Sequence, residues 1–305
     1  MEFRRLLYLA TVVDEGSMTR AAEMLHVSQP GISVQLRALE RDVGAELLVR
    51  SPRGVTPTAA GEAVLLHARA ALASVEAIRG VGDDLAGLRR GRLRVGTVNS
   101  GSHGLFGVLA DFHERHPGVE LSLTELGSEE LLLRIREHRL DVALVALTGA
   151  IGADVESRRF RESWLVAVRK DDDPCAGAGV EAVPSETIPV ADLVARPLVT
   201  LPPGTGVRAA LDALLAGAGV EASISCEVAS PRAALRLAEL GFGTAVVPAS
   251  EADAVGMGPG SPLRRDITPR TTVTLGLVRA KDVPPSPALA AFLALATDTG
   301  EALRM

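Results

Sequence analysis

Gly16-Ser17-Met18-Thr19-Arg20-Ala21-Ala22, followed through Leu25-His26-Val27 by Ser28-Gln29-Pro30-Gly31-Ile32-Ser33, decides how residues 1–61 fold. Ser17 is placed to cap a short helix over Met18 to Leu25, in which Ala21 and Ala22 leave room for a close neighbour. His26-Val27 makes a tight turn. Ser28 then caps another helix with Pro30 in its first turn, where a missing N–H has no partner to lose. Ile32, Leu36 and Leu39 recur at helical spacing as the buried face of that helix, and the opposite face carries Gln29, Ser33, Arg37 and Arg41. Upstream, Leu6, Leu7, Leu9, Ala10 and Val13 predict a helix from Phe3 to Val13 that Asp14-Glu15-Gly16-Ser17 breaks. Two helices joined by a turn of a few residues, the second with a polar outer face, form a helix-turn-helix. Beyond Gly44, Leu47-Leu48-Val49 and Arg50-Ser51-Pro52-Arg53-Gly54-Val55 predict a small hairpin, or wing.

Residues 58 to about 88 are alanine-rich and free of proline, which predicts one helix roughly 45 Å long. Val64, Ala68, Leu72, Val75, Ile78 and Leu85 form an apolar stripe along it. Such a stripe is buried either against a copy of the same helix or against the chain's own domain, and the first reading makes Val64, Ala68, Leu72, Val75 and Ile78 dimerisation residues.

From Arg92 the pattern becomes strands alternating with helices. Strands are expected at Leu93–Gly96, Val119–Leu126, Asp141–Ala146, Trp164–Val168, Leu198–Thr200, Ala222–Val228, Thr244–Val247 and Thr272–Val278. Helices are expected at Leu105–His116, Ser128–His138, Val207–Ala216, Pro231–Leu240 and Ser286–Thr297. That alternation argues for α/β sheets with parallel cores, and two similar halves imply two subdomains with a ligand crevice between them.

The chain has 305 residues, 47% hydrophobic and 23% charged, which is material for two or three globular units and excludes a miniprotein or a disordered tail. No apolar run is long enough to span a membrane and no secretory leader stands at Met1, so a cytoplasmic protein without a membrane partner is expected. Cys175 and Cys226 make no disulfide or zinc framework. His113 and His116 lack a third ligand, Ser102-His103 lacks a nucleophile elbow, and Gly204-Thr205-Gly206 is no dinucleotide fingerprint. No metal, cofactor or catalytic residue is therefore expected. The net charge is −6, and residues 1–61 hold seven arginines against seven acids, so any attraction to nucleic acid rests on local placement.

The segment Gly16 to Ser33, with Leu39-Glu40, Gly44, Arg50 and Thr58-Ala59-Ala60-Gly61 beyond it, strongly resembles the N-terminal signature of LysR-type transcriptional regulators. His116-Pro117-Gly118-Val119, Leu140-Asp141-Val142-Ala143 and Gly241-Phe242-Gly243-Thr244-Ala245-Val246-Val247-Pro248 resemble the effector-binding domain of that family. The resemblance covers essentially the whole chain. It implies a winged helix-turn-helix over 1–61, a linker and dimerisation helix over 62–90 and a periplasmic-binding-protein-like regulatory domain over 91–305. Within the last, subdomain I takes about 91–165 and 270–305 and subdomain II about 166–269, with crossings near Trp164–Val168 and just before Thr272. Val34 departs from the pattern, since many members carry a polar or basic residue there.

The expected function is regulation of transcription by a protein that is not an enzyme. Its partners would be double-stranded DNA at a dyad operator, a small polar anionic effector, RNA polymerase and a second copy in a homodimer or homotetramer. An α/β enzyme or ligand-binding domain fused to a DNA-binding module, or a solute-binding protein, is the competing reading. On the recognition helix, Gln29 and Ser33 are candidate base readers, and Ser28, with Pro30 opening the helix, presents N–H groups to a phosphate. Arg37 reaches phosphate or guanine, and Arg50 and Arg53 on the wing reach the backbone or minor groove. Glu40 is expected to pair with Arg37 or Arg41. In the cleft, Asn99, Ser100 and Ser102 face Thr200, Gly204 and Thr205, with Phe242 at the floor or in the core.

Overall fold

The computed structural model describes residues 2–52, 54–84, 90–100, 103–149, 151–170 and 186–302. Three helices open the chain: α1 (Phe3–Glu15), α2 (Met18–Met24) and α3 (Gln29–Val43). Their ends obey local chemistry. α1 stops at Gly16, which takes the left-handed conformation at φ 59°, and the Ser17 and Ser28 side chains accept from the backbone N–H of Arg20 and Gly31 at the starts of α2 and α3. Leu9, Ile32, Leu36, Leu39 and Leu47 are fully buried between these helices. The hairpin of β1 (Leu48–Ser51) and β2 (Gly54–Pro57) docks on the end of α1, where the Val55 N–H donates to the Gly16 carbonyl at 2.9 Å. Gly54 permits that approach, because it sits at φ 129° and a Cβ there would lie 2.7 Å from the same carbonyl oxygen.

α4 (Ala59–Asp84) is described over 26 residues, about 39 Å of helix. Its apolar stripe has two destinations. Leu65 and Ala68 are buried in the chain's own helix-turn-helix core, and Val64 and Leu72 pack against that core. This corrects the expectation that Ala68 faces a second copy. Only toward the far end does the stripe come free, with Ile78 70% exposed. Leu85 lies outside the described residues.

The α/β half begins with β3 (Gly91–Thr97), α5 (His103–Arg115), β4 (Val119–Glu125), α6 (Ser128–Arg136) and β5 (Val142–Ala146), followed by β6 (Val155–Val168). Next come β7 (Thr187–Pro189), α7 (Val190–Leu193), β8 (Leu198–Thr200), α8 (Gly206–Ala218), β9 (Ile224–Glu227), α9 (Pro231–Glu239), β10 (Thr244–Pro248) and α10 (Ala249–Ala254). The last elements are β11 (Arg264–Thr268), β12 (Thr272–Ala280) and α11 (Pro287–Ala302). The strands run β4-β3-β5-β12-β6-β10-β8-β9, with β11 on β6 and β7 on β11. β3 pairs in parallel with β4 and β5, and β8 with β9 and β10.

β6 joins the halves. Val155 to Trp164 pairs antiparallel with β12, and Leu165 to Val168 with β10. The strand is nine residues longer than the expected Trp164–Val168, because the run Glu156-Ser157-Arg158-Arg159 is exposed and carries no alternating apolar signal. The chain crosses back between β11 and β12. Subdomain I is closed by α11, whose Phe292 meets Phe112 of α5 edge-to-face with ring centroids 5.9 Å apart. Among the described residues no helix is long and apolar enough to cross a membrane.

Phe292 is fully buried, so Phe292→Ala should lower the unfolding free energy of the α/β half by about 3–5 kcal/mol in a urea titration. A loss below about 1 kcal/mol would mean that the α5–α11 contact is not part of the core.

Candidate nucleic-acid interface and ligand cleft

The start of α3 faces outward. Ser28, Gln29 and Pro30 are exposed, and Arg37 and Arg41 follow on the same side. Arg37 has no ion-pair or hydrogen-bond partner among the described residues. Arg5 fixes this helix from behind, donating to Gln35 Oε1 at 3.0 Å and to Asp42 Oδ2 at 2.8 Å. Glu40 does not pair with either expected arginine. Its Oε1 accepts from the Leu47 N–H at 3.1 Å and so orders the approach to the wing.

Ser33 is not on the outer face as expected. It is 7% exposed, and its Oγ accepts from both terminal nitrogens of Arg50 at 3.3 Å, so the wing strand folds over it. Val34 takes the outer position instead, 58% exposed in the middle of the polar face. Its departure from the usual polar residue signalled an unusual position. Arg50 itself is exposed, and Arg53 lies outside the described residues.

A cavity of about 580 Å³ opens between the subdomains. Asn99 and Ser100 after β3 and Ser128 after β4 form one wall, and Pro202 to Gly206 after β8 form the other. All lie past the carboxyl ends of parallel strands, where such sheets hold ligands. Ser100 is buried and carries no hydrogen bond among the described residues. Thr205 caps α8, accepting from Arg208 N–H at 3.3 Å and donating to the Pro202 carbonyl at 2.8 Å. Asn99 Nδ2 donates to the Ala229 carbonyl at 3.5 Å, across the two subdomains. Gly204, at φ 86°, turns the chain into α8.

Two expected residues lie elsewhere. Thr200 is completely buried with an unpartnered hydroxyl and stands behind the wall, while Phe242 is 59% exposed and closes no floor. Ser102 lies outside the described residues. The first turn of α6 was missed: Ser128, Glu129 and Glu130, with Leu133 a turn later, line the cavity. Their place after β4 repeats that of Asn99 after β3, which was the available signal. Among the described residues the lining is uncharged apart from Glu129 and Glu130, and Glu130 is held by Arg134 at 2.8 Å. Arg208, behind the second wall, is held above its ordinary pKa by its hydrogen bond to Glu227 and then by Asp212.

Residues 3–62 match the lysR-family bacterial regulatory helix-turn-helix protein, and residues 86–301 match the LysR substrate binding domain. The chain belongs to the LysR family of transcription regulators. Its two halves correspond to that family's helix-turn-helix and effector-binding domains. The nitrogen assimilation regulatory protein nac of Escherichia coli is 35% identical over 187 residues, 60% of each protein, so this LysR chain spans under two thirds of that relative's length. A full-length OxyR variant from Pseudomonas aeruginosa superposes with a TM-score of 0.75 at 23% identity, covering 98% of this chain and 97% of that one. Full-length CbnR complexed with its target DNA has a TM-score of 0.54 at 30% identity, covering 98% and 100%.

Proposed function

We propose that this LysR-type regulator binds a dyad operator on double-stranded DNA as a homo-oligomer and changes its grip when a small effector enters the inter-subdomain cleft. The observation that carries the DNA half is the exposed start of α3, Ser28 to Pro30, flanked by exposed Arg37, Arg41 and Arg50. Gln29 reads base edges, Ser28 and the helix N–H groups hold a phosphate, and Val34 offers methyl groups to a thymine methyl. The wing arginines Arg50 and Arg53 hold the backbone. The CbnR–DNA complex at 30% identity supports this reading. A DNA partner is consistent with a cytoplasmic protein.

The effector we infer is small, with a polar group that hydrogen-bonds to the Ser100 hydroxyl and the N–H groups that open α8, away from Glu129 and Glu130, and an apolar body against Val98, Leu126, Leu133 and Leu201. Residues 1–61, 62–90 and 91–305 serve as DNA-binding unit, linker and effector domain. The far end of the α4 stripe, where Ile78 is exposed and Val75 half-buried, meets a second copy.

Genome-wide footprinting with and without metabolite pools locates the operator and tests the whole reading. On that operator, Gln29→Ala should cost about 1–3 kcal/mol and little on random DNA, whereas Arg50→Ala should weaken both and reduce the salt slope by about one. Equal losses on both DNAs for Gln29→Ala would remove it from base reading. Ile78→Glu with Val75→Glu should yield monomers by light scattering with the effector domain still folded, and persistent oligomers would place the interface elsewhere. Ser100→Ala should footprint like wild type yet need about 10- to 150-fold more effector for half-response. An unchanged half-response would exclude Ser100 from the site.

A further inference from the structure

Arg69 stands where the DNA-binding unit, the linker helix and the effector domain meet. It projects from α4, is 9% exposed, and donates from Nη2 to Asp14 Oδ1 of α1 at 2.6 Å and from Nη1 to Glu137 Oε2 at 3.5 Å. Arg139 completes a ring of four charges, 3.7 Å from Asp14 and 3.6 Å from Glu137. Around this clasp the two units are not sealed by a core. A cavity of about 440 Å³, lined among others by Leu7, Thr11, Arg92 and Thr124, lies between α1 and the strands β3 and β4. The joint thus combines this charged contact, which lies beside open space, with the packing of α4 on α11, and the open side leaves room for one unit to turn on the other.

Glu137 caps the C-terminal end of α6, the helix whose first turn lines the ligand cleft. A helix of nine residues, about 13 Å long, moves as a rod. Its cleft end is tied to the opposite subdomain by two contacts in series. The Ser128 Oγ accepts from the Ala146 N–H at 3.2 Å, and Ala146 abuts Gly206 at the start of α8 so closely that a Cβ on Gly206 would fall 2.3 Å from the Ala146 Cβ.

We propose that Arg69 is a positioning residue through which the state of the cleft sets the posture of the DNA-binding unit. A change in spacing between the subdomains moves Ala146, then Ser128 and the α6 rod, and Glu137 pulls or releases Arg69 and with it Asp14 on α1. The inference rests on the proposed DNA-binding role of α3, and its test can fail separately from that role.

Coupling of this kind is demonstrated by a cycle of variants and not by a chain of contacts alone. Gly206→Ala wedges the subdomains apart without any effector, and Arg69→Met keeps an unbranched apolar stem while removing the charge that grips Asp14 and Glu137. Wild type, each single variant and the double variant, all full-length, are titrated against the footprinted operator by fluorescence anisotropy, with melting temperatures as a folding control. Gly206→Ala should change operator affinity about 5- to 150-fold in the wild-type background. In the Arg69→Met background the same wedge should change it by less than about twofold, and Glu137→Gln should suppress the effect as Arg69→Met does. Should Gly206→Ala fail to fold, the change in operator affinity caused by metabolite pools replaces the wedge, and Ser128→Ala, which cuts the link to Ala146, should suppress that change as Arg69→Met does. Equal changes with and without Arg69 would overturn the proposal, as would a wedge that alters nothing while metabolites still alter the footprint. Failure of every form to bind the operator would instead overturn the reading of α3.

Discussion

β6 runs for 14 residues, and its two parts are hydrogen-bonded into different sheets: Val155 to Trp164 against β12, Leu165 to Val168 against β10. A cleft between two α/β subdomains requires connections that are continuous in backbone hydrogen bonding yet few. Two independent sheets would drift apart, and a broad shared sheet would leave no crevice. With β6 as one crossing and the step from β11 to β12 as the other, the halves are held at one edge and open at the opposite edge. The helix starts of α6 and α8 point into that opening, and the close approach of Gly206 to Ala146 defines its inner limit. Relative motion is restricted to a hinge, and its lever arms are the helices that line the crevice.

The DNA-binding unit follows another logic, in which cap chemistry does most of the positioning. Ser17 and Ser28 each satisfy one orphan N–H and thereby set where α2 and α3 begin, and the start of α3 is the part offered outward. Arg50 links the wing to that helix by covering Ser33, so the hairpin and α3 present one continuous surface. Glu40 reinforces the same relation at the other end of the connection by holding the Leu47 N–H.

These local devices explain what was legible in the chain. Caps, the Pro30 position and the spacing of Ile32, Leu36 and Leu39 are short-range, so the helix-turn-helix could be read within a residue or two of its ends. Ser33 was misplaced because helical phase alone puts it beside Gln29 and Arg37, while its burial comes from a hairpin seventeen residues away. The front half of β6 was hidden since Glu156 to Arg159 are exposed on a strand whose pairing partner there is β12. On α6, Glu129 and Glu130 read as an ordinary acidic first turn, and only the packing of β4 beside β3 brings them to the cleft. Thr200 and Thr205 are five residues apart with the same chemistry, yet one is sealed behind the wall and the other caps the helix that forms it. Sequence shows which groups can bind; the sheet decides which of them face the opening.

Charge sets the remaining constraint. The chain carries −6 in total and residues 1–61 are balanced, so long-range attraction to a polyanion is absent, and affinity has to come from contacts. One recognition unit offers Arg37, Arg41 and Arg50 together with the N–H groups that open α3, only about three or four phosphate contacts, and each contributes a modest, salt-sensitive increment. Two units held at the spacing of adjacent half-sites convert the second encounter into an intramolecular one and raise the combined affinity by orders of magnitude. On the proposed reading, assembly through the far end of α4 is then a condition of binding. The distance and angle between the two units then become the quantities that regulation can act on, and the proposed clasp at Arg69 acts on them by setting the posture of each unit on its own chain.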